Sequence, residues 1–213
     1  MEYEATLAHR RVPEATFGEL FPEFQSADVS LRRADVTRHG WNVKLHEEIY
    51  LGQIVAAVEA KTIFEIGTFD GGTTRRLAEQ SAADAIVFTI DLPEETFNAT
   101  QSPDAFSGAR VGEKYRDSAA AHKIQQIRAD ASVFDFSPYD GAMDVVFVDA
   151  AHDYVHGLSD SRNALRIARR GGVIVWHDFE PYWSGLVHAI CEANDGLPLR
   201  RLAGTSMGIL RKP

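Results

Sequence analysis

Two stretches in the second half of the chain, MDVVFVDAAHDY and GGVIVWHDF, each follow an apolar run with acids and imidazoles. The first delivers Asp149, His152, Asp153 and Tyr154, and the second His177 and Asp178. Carboxylates and imidazole sharing a cavity repel one another or lose hydration unless a cation or a positive substrate lies among them. If the runs are neighbouring strands, about 4.8 Å apart, Asp149 and the His177–Asp178 pair converge on one point. A divalent metal is then the natural occupant. The competing reading has Asp178 capping a loop and His177 packing. Oxygen ligands favour Mg²⁺, whereas a histidine in the set shifts preference toward Mn²⁺, Fe²⁺ or Zn²⁺. His152 is the candidate general base, because histidine is the side chain that titrates near neutrality; a role in holding a cofactor or the strand-end loop competes with it.

A second set of acids lies upstream. FEIGTFDGGTT reads as a buried strand entering a glycine loop that opens a helix, and it carries Glu65 and Asp70. Helix amino termini usually receive phosphate, but a carboxylate about 5 Å from a phosphate costs roughly 3 kcal/mol. The spacing Gly67, Gly71, Gly72 is also not G-x-G-x-x-G, and no Walker lysine follows. A nucleoside with a cationic or zwitterionic tail suits such a pocket. Asp91 closes FTIDL, where an acid can accept hydrogen bonds from both ribose hydroxyls, and Asp130 follows the next run in IRADAS. For any one of these acids, capping the next helix is the alternative.

The elements that must position these groups are short runs rich in Ile, Val and Phe, at 63–66, 85–90, 124–129, 143–148 and 173–176. Helix-period segments lie between them, which is the mark of a parallel α/β sheet. Leu51, Ile54, Val55 and Val58 predict one buried helix face, and Leu158, Ser161, Leu165 and Ala168 another. RIARRGG reads as that second helix's basic carboxyl end with a glycine stop. A helix from about 184 to 194 precedes two short β-like runs too close together for a parallel crossover, hence an antiparallel hairpin. The expected fold is a doubly wound, seven-stranded, mostly parallel sheet with one reversed strand at its edge. One domain spans 1–213, with 1–44 as an amino-terminal cap and 92–123 as an insertion in a core of 45–213.

The chain has 213 residues, of which 45% are hydrophobic, enough for one sizeable core. Its formal charge of -9 argues against gripping nucleic-acid backbone. Cys191 is the only cysteine and reads as a buried apolar thiol; no apolar stretch approaches a membrane span, and MEYEATLAHRR lacks a secretory core. A cytoplasmic protein is expected, with homo-oligomerisation left open.

FEIGTFDGGTT, FTIDL, IRADAS, MDVVFVDAAHDY and GGVIVWHDF, in this order, resemble the class I S-adenosylmethionine-dependent methyltransferases, closest to the catechol and macrocin kinds of O-methyltransferase. The resemblance covers about 45–210. It implies that Glu65, Gly67, Phe69 and Gly71 hold the methionine part and ribose, that Asp91 takes the ribose hydroxyls, and that Asp130 and Ala131 contact adenine. It implies methyl transfer to a hydroxyl of a small molecule, with a divalent cation (Mg²⁺ or Mn²⁺) at Asp149, His177 and Asp178. The metal-dependent members have Asp and Asn where this chain has His177 and Asp178, so the metal stays in question. Phe179, Tyr182, Trp183 and Trp41 are candidates to wall an acceptor pocket. The rival readings are a non-catalytic nucleoside-binding protein of the same fold and an NAD(P)-dependent oxidoreductase.

Overall fold

Buried β-branched and aromatic runs form strands because such side chains fill both faces of a covered sheet. The computed structural model describes residues 2–28, 42–96 and 110–213; Trp41, part of the expected cap (29–41) and part of the expected insertion (97–109) lie outside them. In chain order the elements are α1 (Glu2–Arg11), β1 (Glu14–Ala15), α2 (Phe17–Leu20), α3 (Leu45–Ala57), β2 (Thr62–Ile66), α4 (Gly72–Gln80), β3 (Ile86–Asp91), α5 (Glu113–Arg116), β4 (Ile124–Arg128), β5 (Met143–Val148), α6 (Tyr154–Ile167), β6 (Ala168–Trp176), α7 (Ser184–Ala193), β7 (Arg200–Leu202) and β8 (Gly208–Arg211). They fall into two compact units, residues 27–134 and residues 1–26 with 135–213.

In the unit 27–134, β2, β3 and β4 pair in parallel in that order. Ile63, Phe64, Glu65 and Ile66 are all buried, which makes β2 a covered strand. Of the face predicted on α3, Leu51, Ile54 and Val55 are fully buried, whereas Val58 stands at the cap beyond the helix end and is partly exposed. Between α3 and α4 lies a buried ionic group in which Arg76, 0% exposed, faces Glu48 at 3.9 Å and Glu79 at 3.7 Å. Lys123 closes the other end of α4 by donating to the carbonyls of Ala78 and Ser81.

In the other unit, β5 pairs in parallel with β6, β6 antiparallel with β8, β8 antiparallel with β7, and β7 in parallel with the two-residue β1. The seven expected strands are present and β1 is an addition. The reversed strand is β8, and it lies between β6 and β7; the expectation that it forms an edge is wrong, because the return strand β7 adds outside it. The arginine reading is also corrected. The helix ends at Ile167 and Ala168 already begins β6, so of RIARR only Arg166 stands in the last helical turn, while Arg169 pairs with Asp144 at 2.5 Å. Gly172 sits where the β5–β6 register shifts, and a Cβ there would lie 2.8 Å from the Met143 carbonyl oxygen. The buried stripe of α6 is Gly157, Asp160, Ser161, Ala164 and Ile167, about one position away from the expected Leu158–Leu165 line. Small residues face inward because Gly157 lies hard against Leu186 of α7. Ser161 accepts a hydrogen bond from the buried Trp176 indole at 3.0 Å. Among the described residues no helix is long and apolar enough to cross a membrane.

Candidate functional site

The glycine loop is shaped by backbone that only a held segment adopts. Gly67, Phe69 and Gly71 all have positive φ, at 102°, 47° and 81°, and Phe69 is not a glycine. Strain of about 1–3 kcal/mol at such a residue persists only when its surroundings over-determine it. Asp91 supplies part of that constraint. Its Oδ2 accepts from the Thr68 and Phe69 N–H groups at 3.0 and 2.8 Å, and its Oδ1 accepts from Leu92 N–H at 2.8 Å. A carboxylate offers about four acceptor sites, so among the described residues one, on Oδ1, has no donor. Burial pushes the Asp91 carboxyl above its usual range, against the lowering pull of those three amides.

Glu65 is fully buried beneath the loop, where its Oε2 accepts from the hydroxyls of Thr74 and Thr89. Asp70, 2% exposed, takes Lys114 Nζ at 2.6 Å, Asn42 Nδ2 at 2.8 Å and the Gly72 N–H at 3.0 Å. The expectation that Asp70 offers a spare negative charge at the loop is therefore corrected: Lys114 offsets that charge, and the carboxylate starts α4. Asp130 takes the Ser132 N–H and hydroxyl at 2.8 and 2.7 Å, and it and Ala131 follow the end of β4. Thr68, Thr74 and Thr89 lie within the quoted motifs without having been given a role there, whereas Lys114, Tyr115 and Gln126 complete this region from outside them, their one trace being the pair of glutamines interrupting β4.

In the other unit, β5 and β6 bring the second set together as their adjacency requires. Val148 stands opposite Trp176, and the His177 N–H continues the ladder to the Val148 carbonyl at 3.0 Å. Asp149 and Asp178 follow, the latter at φ 52°, which turns it out of the strand path. The donor atoms of Asp149, His152 and Asp178 all lie within 4.8 Å of one another. His177 stands behind them, 7% exposed, with Nδ1 3.3 Å from Asp149 and 3.5 Å from Asp178. The three-residue group that the geometry offers a cation thus contains His152 where the sequence pointed to His177.

His152 Nε2 lies 2.8 Å from Asp178 Oδ2, and its ring lies against Trp183 with centroids 4.1 Å apart and planes tilted by 35°. Burial alone would raise the Asp178 carboxyl, but hydrogen bonds from His152 and His177 and their charges hold it well below the ordinary carboxylate range. An ionised Asp178 can only accept, so His152 Nε2 carries the hydrogen and the Nδ1 lone pair is the basic site of the neutral ring. A divalent ion fits the chemistry of this donor set. Ligands about 2.1 Å from an ion stand at most about 4.2 Å apart, so the group needs to contract only slightly. An ion on Nε2 would displace the hydrogen bond to Asp178 and an ion on Nδ1 would occupy the basic lone pair, so the two roles of His152 are exclusive.

The candidate wall residues separate. Phe179 is buried with its ring 5.1 Å from that of His9, whereas Tyr182 is 78% exposed and meets Trp183 edge-on. His156 belongs to the start of α6, where it pairs with Asp153, whose carboxylate caps that helix. Cys191 is half-buried, and burial pushes its thiol up to about 11.

Caffeoyl-CoA O-methyltransferase 2 of Petunia hybrida is 26% identical to this chain over 172 residues, which are 79% of the chain and 65% of the relative; a Nicotiana tabacum caffeoyl-CoA O-methyltransferase 1 is equally identical over the same length. The chain spans just under two thirds of these relatives. Among solved structures, the O-methyltransferase TomG from Streptomyces achromogenes, in complex with SAM, superposes with a TM-score of 0.63 at 19% identity, covering 96% of this chain and 99% of TomG. The SAH-bound methyltransferase PaMTH1 of Podospora anserina gives 0.60 at 16% identity, over 99% and 94%. Both likenesses show the Rossmann-like methyltransferase fold, a mostly parallel sheet with antiparallel carboxyl-terminal strands. The family model described as a methyltransferase domain matches residues 64–179, from β2 through the glycine loop and both acidic strand ends to Phe179 and so more than half of the chain, and to that family this protein belongs.

Proposed function

We propose that this protein is an S-adenosylmethionine-dependent O-methyltransferase acting on a hydroxyl of a small molecule. The observation that carries the reading is the His152–Asp178 hydrogen bond beside Asp149, in a chain of the methyltransferase family. A neutral hydroxyl attacks a sulfonium poorly, so the chemical problem is removal of its proton. Asp178 fixes the imidazole tautomer, and His152 Nδ1 takes the proton. Asp149 and Asp178 are the carboxylates that hold a divalent cation. When bound, the cation lowers the pKa of an acceptor hydroxyl and fixes its direction. Gly67, Phe69 and Gly71 bind the methionine part, Asp91 one ribose hydroxyl, and Asp130 with Ala131 the adenine; Glu65 acts on the donor only through the loop. The acceptor carries an acidic hydroxyl of the phenolic kind, which the caffeoyl-CoA relatives and the exposed Tyr182 beside Trp183 both favour. The chain works as one methyltransferase domain in a reducing cytoplasm, with no nucleic-acid partner.

The test is calorimetric titration with S-adenosylmethionine, followed by transfer of a labelled methyl group to a panel of catechols with and without a chelator. Micromolar uptake of the donor and chelator-sensitive labelling of a phenolic oxygen are expected. Tight uptake of NAD(P)H with indifference to the sulfonium compound overturns the reading.

A further inference from the structure

The strongest structure around the glycine loop belongs to residues that the proposed chemistry does not use. Residues 112–115 run along the loop: Gly112 N–H donates to the Phe69 carbonyl and Lys114 N–H to the Asp70 carbonyl, each at 2.8 Å. The Tyr115 ring presses on both glycines, since a Cβ at Gly71 or Gly112 would lie 2.6 Å from a ring atom. From Tyr115 a chain of hydrogen bonds descends beneath the loop. Its hydroxyl donates to Gln126 Oε1 at 2.7 Å, Gln126 Nε2 reaches Thr68 Oγ1 at 3.0 Å, and Thr68 Oγ1 lies 2.7 Å from Thr89 Oγ1. Thr89 then donates to Glu65 at 2.6 Å.

Every link has one direction. Thr89 spends its only hydroxyl hydrogen on Glu65, so Thr68 must donate to Thr89 and accept from Gln126. Gln126 Nε2 also faces the Thr89 and Ile127 carbonyls at 3.3 and 3.1 Å, which fixes its amide orientation and leaves Oε1 to Tyr115. Burial raises the Tyr115 hydroxyl above its usual range, so it remains a donor. We infer that Tyr115 is a positioning residue for the methyl donor: through Gln126, Thr68 and Thr89 to Glu65 it locks the glycine loop in its binding shape and so sets donor affinity. The inference rests on the reading of Gly67–Gly71 as the donor loop. Cutting the chain leaves an acceptor unsatisfied, the partly buried Gln126 Oε1 or the buried Glu65 carboxylate, and lets the strained loop leave its competent form, so that apparent affinity falls by the fraction lost.

The wild-type 213-residue chain, Tyr115→Phe, Thr89→Val and the double variant are titrated with S-adenosylmethionine by calorimetry, and their kcat and KM for the donor are measured. Tyr115→Phe keeps the ring on both glycines and Thr89→Val keeps volume, so two independent cuts guard against misfolding, checked by thermal melts without donor. Each single change is expected to raise the donor dissociation constant about fivefold to tenfold, with the loss in KM and not in kcat. The double variant should be no worse than the weaker single, because one cut already breaks the chain. Unchanged affinity in both singles, multiplied effects in the double, or an equal loss in kcat overturns the relay while leaving the methyltransferase reading intact. Failure of wild type to take up the donor overturns both.

Discussion

Asp91 and Asp178 are both carboxylates at strand ends, and burial pushes both toward the neutral form, yet they shift in opposite directions. Asp91 accepts three backbone N–H groups and still lies above its usual range. Asp178 faces two imidazoles and lies well below it. Neutral amide dipoles, with a smaller pull from the Arg128 charge, do not make up for lost hydration at Asp91, whereas two imidazoles that hydrogen-bond the carboxylate and can carry charge do so at Asp178. The same division separates their surroundings. Glu65, Asp70 and most of the acceptor sites of Asp91 are taken by threonine hydroxyls, Lys114 and backbone amides, so they are framework for a strained turn. Asp149 and Asp178 meet only histidines among the described ion pairs.

Removing the two acids of the histidine cluster should therefore destroy chemistry and spare donor binding. Asp149→Ala with Asp178→Ala is expected to lower turnover by at least about a thousandfold and abolish metal uptake, while donor affinity stays within about twofold. Elemental analysis and calorimetry check both halves; equal metal in variant and wild type removes these acids from the ligand set. His152→Ala comes next, with kcat reduced about 10²–10⁴-fold and the donor dissociation constant unchanged. A defect confined to donor binding would move His152 into the framework class.

The parts legible in the sequence are those where one residue type has one physical use. Runs such as Ile63–Ile66 and Met143–Val148 admit only a covered strand, and the acids after them had to emerge at strand ends. The two-residue β1 has no period to read. The passage from α6 directly into β6 was hidden because Arg169 and Arg170 suit a helix end as well as an exposed strand, and the decisive contact is Gly172 against the Met143 carbonyl. His177 and Asp178 look like a pair in sequence, but the positive φ at Asp178 swings one outward while His177 stays behind it, and His152 arrives from a loop. Apart from the nearby Gly72 and Leu92 amides, the partners of Glu65, Asp70 and Asp91 lie 9 to 44 positions away, where spacing carries no information.

Asp91 offers a sharper probe of the framework class. Asp91→Ala removes acceptors for Thr68, Phe69 and Leu92 and the site left for ribose, and donor binding should weaken by about 1–3 kcal/mol. Asp91→Asn keeps one carbonyl oxygen, enough for the two loop amides, and is expected to lose markedly less. If asparagine is as harmful as alanine, the charge of Asp91 matters and its likeness to Asp178 is closer than drawn.

The smallest effect is the pH dependence of stability, and here the two carboxylates should separate by sign. Asp178 is depressed in the folded protein, so its stabilisation is complete above the unfolded value of about 3.9 and fades as pH falls through the folded value. Asp91 is raised, so its contribution is present below about 3.9 and fades as pH rises through its elevated value. Urea melts of metal-free wild type, Asp178→Asn and Asp91→Asn between pH 7 and 3 read this directly. The stability advantage of wild type over Asp178→Asn should shrink on acidification, while its standing against Asp91→Asn should improve. Parallel slopes for the two variants would mean that imidazole charge does not distinguish the two acids, and the division between a framework region and a titrating one would lose its physical basis.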